Sequence, residues 1–331
     1  MRRGMIGRPY TINNALTYAG FENVSLRDTL PEKNVDFIIS VKRITSNTYI
    51  NSTAYTNDSF IQFSISCLAG GGTASYGGIT KTLAASTTTV VTFGKYAGVD
   101  DGTPSSGPLT ISGNYYQVKY IPFNSAKSTT SYAMRNCLTG VVQWFGSQML
   151  YVDGLFSGNI QVPDAPDLPY RLNIASIGCL MGKQVPVFGD ERPANTVATS
   201  IPINFIRQLV KLTRAGGAFA GCTGLLSIPE DLFETNELLE SVYDSDISGV
   251  TDAGAFEGCT HLSSLPSKLF WRQKKLLSLE NCFKGCSLLR GSTPVDSLGH
   301  KLWERYSRSA SGCFTGCSGL VDYADIPADW K

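Results

Sequence analysis

The sequence is poor in charge and in histidine, and it contains no long apolar run. Charged residues make up 17% of the 331 positions, against about 25% in an average globular protein. The formal net charge is +1, so we expect no electrostatic attraction to nucleic acid or to an anionic membrane. No stretch approaches the roughly 18 uninterrupted apolar residues of a membrane-spanning helix. Residues 1–20 also lack the apolar core of a secretory signal, so we expect no export signal.

Few residues are available for catalysis or metal binding. The sequence has 2 histidines, His261 and His300, and neither lies in a cluster of metal ligands or nucleophiles. The Gly-rich segment 70–78 lacks the Lys-Ser/Thr pair of a phosphate loop, and we interpret it as a turn. The acidic pairs in segments 99–102 and 189–192 are interpreted as solvated turns. We therefore predict a protein without enzymatic activity, cofactor or metal.

The polar residues that are abundant are Ser, Thr, Asn and Gly, and they separate segments typical of strands. These segments are β-branched, aromatic and partly alternating, and turn-rich pieces lie between them. They span residues 35–45, 59–69, 87–96, 115–123, 140–152 and 170–180. We predict an antiparallel sandwich or barrel over residues 35–195. Residues 1–34 are assigned to an N-terminal arm or attachment segment.

A different pattern occupies the second half, where one motif of the form F-x-G-C-[ST]-x-L recurs. It begins at Phe219, Phe256, Phe283 and Phe314, so successive copies start 37, 27 and 31 residues apart. A Pro step and an apolar pair follow each copy. The segment SIPINFIRQLVKL (200–212) matches the rear of a further unit, which places the start of the array near residue 198. We assign residues 196–331 to this array.

The motif resembles the BspA-type leucine-rich repeat, whose units carry F-x-G-C-x-x-L followed by a short strand. Such repeats occur in surface proteins of bacteria and protists and in structural proteins of bacteriophages. The resemblance covers about residues 198–331 and implies a solenoid, so that the whole chain is expected to be α+β. The unit lengths are unequal, and the third unit has Thr293-Pro294 where the others have an Ile-Pro or Leu-Pro step.

Stacked units are expected to bury one residue of each kind in a continuous column. Each such Leu or Phe should contribute about 1.5–3 kcal/mol by its burial. The predicted columns are Leu225, Leu262, Leu288 and Leu320; Phe219, Phe256, Phe283 and Phe314; and Cys222, Cys259, Cys286 and Cys317.

The 9 cysteines admit three interpretations: packing residues, an occasional disulfide, or a metal site. A cysteine that recurs at the same position of every unit is best explained by packing, because a thiol is small and apolar. Cys282 and Cys313 add two C-x3-C spacings, whereas zinc sites usually have C-x2-C. Cys67, Cys137 and Cys179 lie in predicted strands and are also expected in the core. We favour buried thiols.

Two groups of residues are candidates for binding a sugar or a partner protein. The longest spacing leaves an insertion, residues 243–254, in which Tyr243, Asp244 and Asp246 are the candidate residues. Trp271 and Trp303 lie within the repeats, where an exposed aromatic face with polar neighbours would suit a glycan or a protein.

Together these features predict a non-enzymatic structural or adhesive protein of a bacteriophage virion, such as a fibre, a head or tail attachment or an adaptor. Such a protein is made in the host cytoplasm and needs no export signal. Its expected partners are other virion proteins and a host-surface glycan or protein, and we expect a homo-oligomer, with a trimer favoured. Two alternatives remain: an adhesin of the bacterial cell surface, and a glycan-active enzyme with a repeat binding module.

Overall fold

The computed structural model describes residues 27–50, 53–119, 137–158, 160–182, 194–244, 253–296, 298–305 and 309–331. Its regular structure is mainly β, which confirms the prediction of a β-rich chain. The strands of the first half are β1 (Phe37–Lys42), β2 (Ile44–Ile50), β3 (Thr53–Tyr76), β4 (Ile79–Leu83), β5 (Thr88–Tyr96), β6 (Val99–Asp100), β7 (Ser106–Lys119) and β8 (Leu138–Gln143). The second half contains helices α1 (Ile203–Arg207) and α2 (Leu302–Arg305), strands β9 (Tyr243–Asp244) and β10 (Ala253–Gly254), and 3₁₀ turns at Tyr323–Asp325 and Ala328–Trp330.

Strands β1 to β8 form one antiparallel sheet rather than the predicted sandwich or barrel. The strand order is β6–β5–β3–β7–β1–β8, and β2 and β4 also pair with β3. In the described residues this sheet gains no strand after β8, and the segment Trp144 to Met149 that follows it is buried throughout. The Phe37 ring packs edge-to-face on Phe145, with ring centroids 5.2 Å apart. Residues 170–180, predicted to be a strand, form only a single bridge, at Ser176.

The Gly-rich segment 70–78, interpreted above as a turn, lies mostly inside β3. Three more residues of β3 than of β7 separate the pairs Cys67–Tyr115 and Gly72–Gly113, so β3 bulges here. The bulge changes which side chains face the core: Ile65 and Cys67 are buried before it, and Ala74 and Tyr76 after it. A Cβ on Gly113 would lie 2.6 Å from the Cα of Gly72, so this close approach of two backbones requires glycine.

The second half is built around a ladder of single parallel β-bridges. They join Ser176 to Arg214, Arg214 to Ser241, Ser241 to Ser278 and Ser278 to Ser309. We call the chain around each of these residues a rung and name it by its ladder residue. Each rung therefore lies beside the next at the spacing of neighbouring strands, about 4.8 Å.

The phenylalanines of the repeated motif stack in one column through four successive rungs. Ring centroids are 5.2 Å apart between Phe219 and Phe256, 5.6 Å between Phe256 and Phe283, and 5.5 Å between Phe283 and Phe314. The interplanar angles of 19°, 8° and 18° make all three contacts stacked. All four rings are fully buried, so the recurrence of Phe in the sequence corresponds to a continuous aromatic column.

The stacking begins well before residue 198. Met181 lies five residues after Ser176, as Phe219 does after Arg214, and its N–H donates to Ala218 as that of Phe219 donates to Ala255. Phe156 repeats this bond one rung earlier, donating to Leu180 at 2.9 Å. A parallel bridge then joins Tyr151 to Gln117 of β7. The rungs thus continue directly from the sheet, and the boundary predicted at 195/196 falls inside the stacked region.

Both ends of the described chain pack against the rest of the protein. Arg27, at the described end of the predicted N-terminal arm, pairs with Asp167 at 2.7 Å. At the other end, the Trp330 carbonyl accepts the Phe314 N–H at 2.8 Å, and the Trp330 ring stacks on Phe314 with centroids 6.4 Å apart. Trp330 is only 4% exposed, so it covers the aromatic column where the motif ends.

Candidate functional site

The Gly of each motif allows neighbouring rungs to turn at the same point. Gly221, Gly258, Gly285 and Gly316 have φ values of +74°, +73°, +77° and +80°, a conformation that other residues adopt only at a cost. The N–H of Gly258 donates to the Lys284 carbonyl of the next rung at 2.7 Å. Because the turn has the same geometry in all four rungs, the cysteine that follows it is buried in the core of each.

Each motif cysteine packs in the core and donates its S–H to the rung before it. The acceptors are the carbonyls of Met181, Phe219, Phe256 and Phe283, at 3.4, 3.2, 3.1 and 3.0 Å from Cys222, Cys259, Cys286 and Cys317 respectively. All 9 cysteines are buried, and the structure pairs none of them in a disulfide. Because the thiols are occupied in a repeated backbone contact, the geometry favours packing residues over a redox or metal site.

Burial keeps these thiols protonated. It raises the pKa of Cys137 and of Cys317 from the ordinary 9.0 to about 12. The pKa of Cys222, Cys259, Cys282 and Cys286 is raised for the same reason. Since the thiolate is the reactive species, the thiols should be inert in the folded protein.

We expect native-state labelling with a maleimide near neutral pH to leave the cysteines largely unmodified, whereas the unfolded chain should take up 9 labels. Mass spectrometry after a timed reaction measures this. Leu288→Cys provides the positive control, because Leu288 is 47% exposed and a thiol there should react at once. Rapid labelling of a motif cysteine in the native chain would contradict the buried column.

The same thiols should make the protein less stable in alkali. Above pH 9.0 the thiols of the unfolded chain ionise, while Cys137 and Cys317 stay protonated in the folded chain up to about pH 12. The unfolded state then binds fewer protons, so the free energy of unfolding falls as pH rises through this window, by about 1.4 kcal/mol per pH unit for each thiol. The raised pKa of Tyr115 acts in the same direction.

Urea unfolding at about pH 8 and about pH 10 measures this loss. Cys317→Ala should reduce the pH dependence by one proton's contribution, although it also lowers stability at every pH by leaving a small cavity. An unchanged urea midpoint between the two pH values would contradict the burial of these thiols.

A column of buried amides, which the sequence analysis missed, runs beside the aromatic column. Gln208, Asn236 and Gln273 each lie three residues after Phe205, Phe233 and Phe270, and all three amides are at most 2% exposed. The amide of Asn236 donates to the carbonyls of Ile206 and Leu209 at 3.0 and 2.8 Å, and that of Gln273 donates to Phe233. The Phe-x-x-Asn/Gln spacing recurs in three units, so the sequence contained a pattern that could have predicted these buried amides.

The leucine column differs from its prediction in one rung. Leu225, Leu262 and Leu320 are buried, but Leu288 is 47% exposed and Leu289 is fully buried in its place. Leu289 is the leucine of the motif, because it lies six residues after Phe283, as Leu225 lies six residues after Phe219. The predicted column had therefore taken the wrong leucine of the pair. Leu288 is thus a surface residue and Leu289 belongs to the core.

The candidate binding tryptophans lie in different surroundings. Trp271 is half-buried, with the Arg272 guanidinium carbon 4.7 Å and the Lys268 Nζ 5.5 Å from its ring centroid. Trp303 packs edge-to-face on the buried Trp330, with centroids 6.1 Å apart. Trp271 therefore presents a half-buried aromatic ring beside two cations, whereas Trp303 mainly supports the C-terminal end.

A buried carboxylate organises the segment beside Trp303. Asp322 accepts a hydrogen bond from the Thr293 hydroxyl at 2.7 Å and a short ion-pair contact from Lys301. Burial alone would raise the pKa of Asp322, but the hydrogen bonds from Lys301 and Thr293 hold it below its ordinary value. The cluster joins the longer loop of the third unit to the C-terminal turn and has a structural role.

The insertion is only partly described. Tyr243 and Asp244 form β9, which pairs with Ala253 and Gly254 in β10 and forms the base of a hairpin. Asp246 lies outside the described residues, as does most of the insertion. Tyr243 lies two residues after the ladder residue Ser241, whereas Trp271 lies seven residues before Ser278, so the candidates occupy different segments of their rungs.

The acidic pair in segment 99–102 is held by hydrogen bonds rather than freely solvated. Asp101 accepts bonds from the Gly94 N–H at 2.9 Å and the Thr103 hydroxyl at 2.8 Å. Asp100 pairs with Arg43 at 3.1 Å. These contacts hold the end of the β5–β6 hairpin against Arg43, which joins β1 to β2. Segment 189–192, the other acidic pair, lies outside the described residues.

Comparison with known proteins finds no matching protein family, curated protein or solved structure. In the part of the chain that the structure describes, His, Cys, Asp and Glu side chains form no group of three or more that could hold a metal ion. No helix there has the length and apolar character needed to span a bilayer.

Proposed function

We propose that the rungs form a leucine-rich-repeat solenoid of the BspA type. Support comes from the four F-x-G-C motifs, whose phenylalanines stack at 5.2–5.6 Å and whose rungs are joined by parallel bridges. The inner positions repeat from rung to rung, while the exposed positions and the insertion at 243–254 differ. A scaffold of this kind presents variable side chains on a rigid frame.

We further propose that the protein is a non-enzymatic structural or adhesive component of a bacteriophage virion, such as a fibre, an attachment protein or an adaptor. The observation that carries this proposal is the direct continuation of the sheet into the rungs through the Gln117–Tyr151 bridge. One core extends from Phe37 to Trp330, so a contact made by the rungs is transmitted to the sheet without a flexible joint. In this arrangement the sheet attaches to the particle and the rungs bind a host-surface protein or glycan, with Trp271 as a candidate contact.

Immunoelectron microscopy tests the location. Antibodies raised against the purified chain should place gold particles at one fixed position on phage particles from the producing cells. The genes beside its own should encode capsid, portal or tail proteins. Labelling of the bacterial envelope together with a neighbouring secretion locus would contradict the virion role and favour the adhesin. Hydrolysis of a glycan by the purified chain would instead favour the enzyme.

A further inference from the structure

Three consecutive rungs carry charges of alternating sign. The segment 203–214, before Phe219, contains three basic residues and no acid. Residues 229–240, which we call the acidic strip, contain five carboxylates and no base. Residues 266–278, which we call the basic strip, contain four cations and no acid. The charges of the two strips are Glu230, Asp231, Glu234, Glu237 and Glu240, and Lys268, Arg272, Lys274 and Lys275.

Part of this pattern holds neighbouring rungs together. Arg207 forms an ion pair with Asp231 of the acidic strip, and Arg272 of the basic strip lies 3.6 Å from Glu234. The two strips are side by side, because the Leu277 N–H donates to the Glu240 carbonyl at 2.8 Å. Attraction between neighbouring rungs therefore accounts for the charges of these two ion pairs.

Four other charged residues of the two strips take no part in such ion pairs. Glu237, Glu240, Lys274 and Lys275 are all exposed, and none of them forms an ion pair with another described residue. Between them lie two exposed leucines, Leu238 and Leu277, with 37% and 65% of their surface accessible. An apolar centre with a polar rim is the usual arrangement of a protein–protein interface.

We propose that this face binds a second copy of the chain around a twofold axis. The axis would lie in the plane of the face, parallel to the two strips and between the Ser241 and Ser278 rungs. The acidic strip of one copy then lies on the basic strip of the other, and the reverse contact forms at the same time. Leu238 and Leu277 of the two copies meet at the centre. Displacing the copies by one rung brings like charges together, which fixes the register.

The charge pattern favours a second copy over other partners. A nucleic acid or an acidic glycan carries one sign of charge, so it would be attracted to one strip and repelled by the other. The face requires a partner with both signs in adjacent, reversed order, and the chain itself supplies that surface. This inference goes beyond the virion role and does not depend on it.

Light scattering and sedimentation of the full chain test the proposal. The wild-type mass should be twice the 35.7 kDa of one chain. The dimer should dissociate roughly tenfold more readily when salt is raised from about 0.1 M to about 1 M, because the Debye length falls from about 10 to about 3 Å. A monomer, a trimer, or a dimer insensitive to salt would overturn the proposal.

Charge reversal makes the test specific. Glu237→Lys/Glu240→Lys and Lys274→Glu/Lys275→Glu should each be monomeric alone, since each places like charges across the axis. A mixture of the two variants should form a heterodimer, and the variant with all four changes should again form a homodimer. Lys33→Glu/Lys42→Glu, with two exposed cations in the first half, serves as the control that stays dimeric. A changed thermal midpoint with an unchanged mass would show that the charges act only within one chain, which overturns the proposal.

Cross-linking of the wild-type chain tests the same contact without a substitution. A carbodiimide joins a carboxylate to an amine by an amide bond, with release of the urea of the reagent. In an equal mixture of ¹⁵N-labelled and unlabelled chains, mixed-isotope cross-links should join Glu237 or Glu240 to Lys274 or Lys275. Cross-links that join these residues only within one chain would overturn the twofold arrangement.

Discussion

Leu289→Asp is expected to lower the free energy of unfolding by about 4 kcal/mol or more, whereas Leu288→Asp is expected to change it by less than about 0.5 kcal/mol. Leu289 is fully buried in the column between rungs, and Leu288 is 47% exposed. At the first position a carboxylate would lose its hydration and the column would lose a leucine. At the second position the carboxylate stays in water.

Urea unfolding of both variants beside the wild type measures the difference, and circular dichroism checks that each variant folds. The two residues are adjacent and chemically identical, so each variant controls for the other. Equal destabilisation by both substitutions, or a larger effect at Leu288, would show that the inward position had been assigned to the wrong leucine.

Asn236→Asp is the second substitution with a large expected effect, a loss of roughly 3–5 kcal/mol at neutral pH. Asn236 is completely buried, and its amide donates to the carbonyls of Ile206 and Leu209. Aspartate would remove both donors and place a negative charge against two carbonyl oxygens. Its pKa would therefore rise above the ordinary value of about 3.9.

The pH dependence identifies the cause of this loss. A raised pKa in the folded state means that protonation favours folding, so the deficit of Asn236→Asp relative to wild type should shrink as pH falls from about 7 to about 5. Urea unfolding at both pH values measures it. Asn34→Asp, at an exposed asparagine, should show neither the deficit nor the pH dependence. A deficit that stays constant with pH would contradict a buried, ionised carboxylate.

The repeated motif made much of the second half predictable. Phe219, Phe256 and Phe283 recur with the same neighbours in the sequence. A residue type that recurs in this way indicates that each copy packs in equivalent surroundings. The β-rich first half was predictable from β-branched and aromatic segments, which form six of the eight strands of the sheet or parts of them. Those signals are local, so they can be read without knowing which segments meet.

The earlier rungs were not predictable in this way. Met181 replaces the motif phenylalanine, and Phe156 is followed by the motif glycine, Gly158, but by Asn159 in place of the cysteine. Both positions are recognised by the backbone bonds that they donate to the next rung. A backbone hydrogen bond places little demand on the side chain, so the sequence can diverge while the stacking persists.

The sequence by itself determined that the chain is mainly β, that similar units recur between Phe219 and Leu320, and that their cysteines occupy equivalent positions. The motif also assigns Leu289 rather than Leu288 to the core, in agreement with the burial of Leu289. The tertiary structure decided that the glycines at 70–72 form a bulge inside β3 and that the rungs continue from the sheet at Gln117. The reason is physical: composition and periodicity are properties of a segment alone. Where a strand bulges, and which strand a rung meets, depends on the segment packed against it.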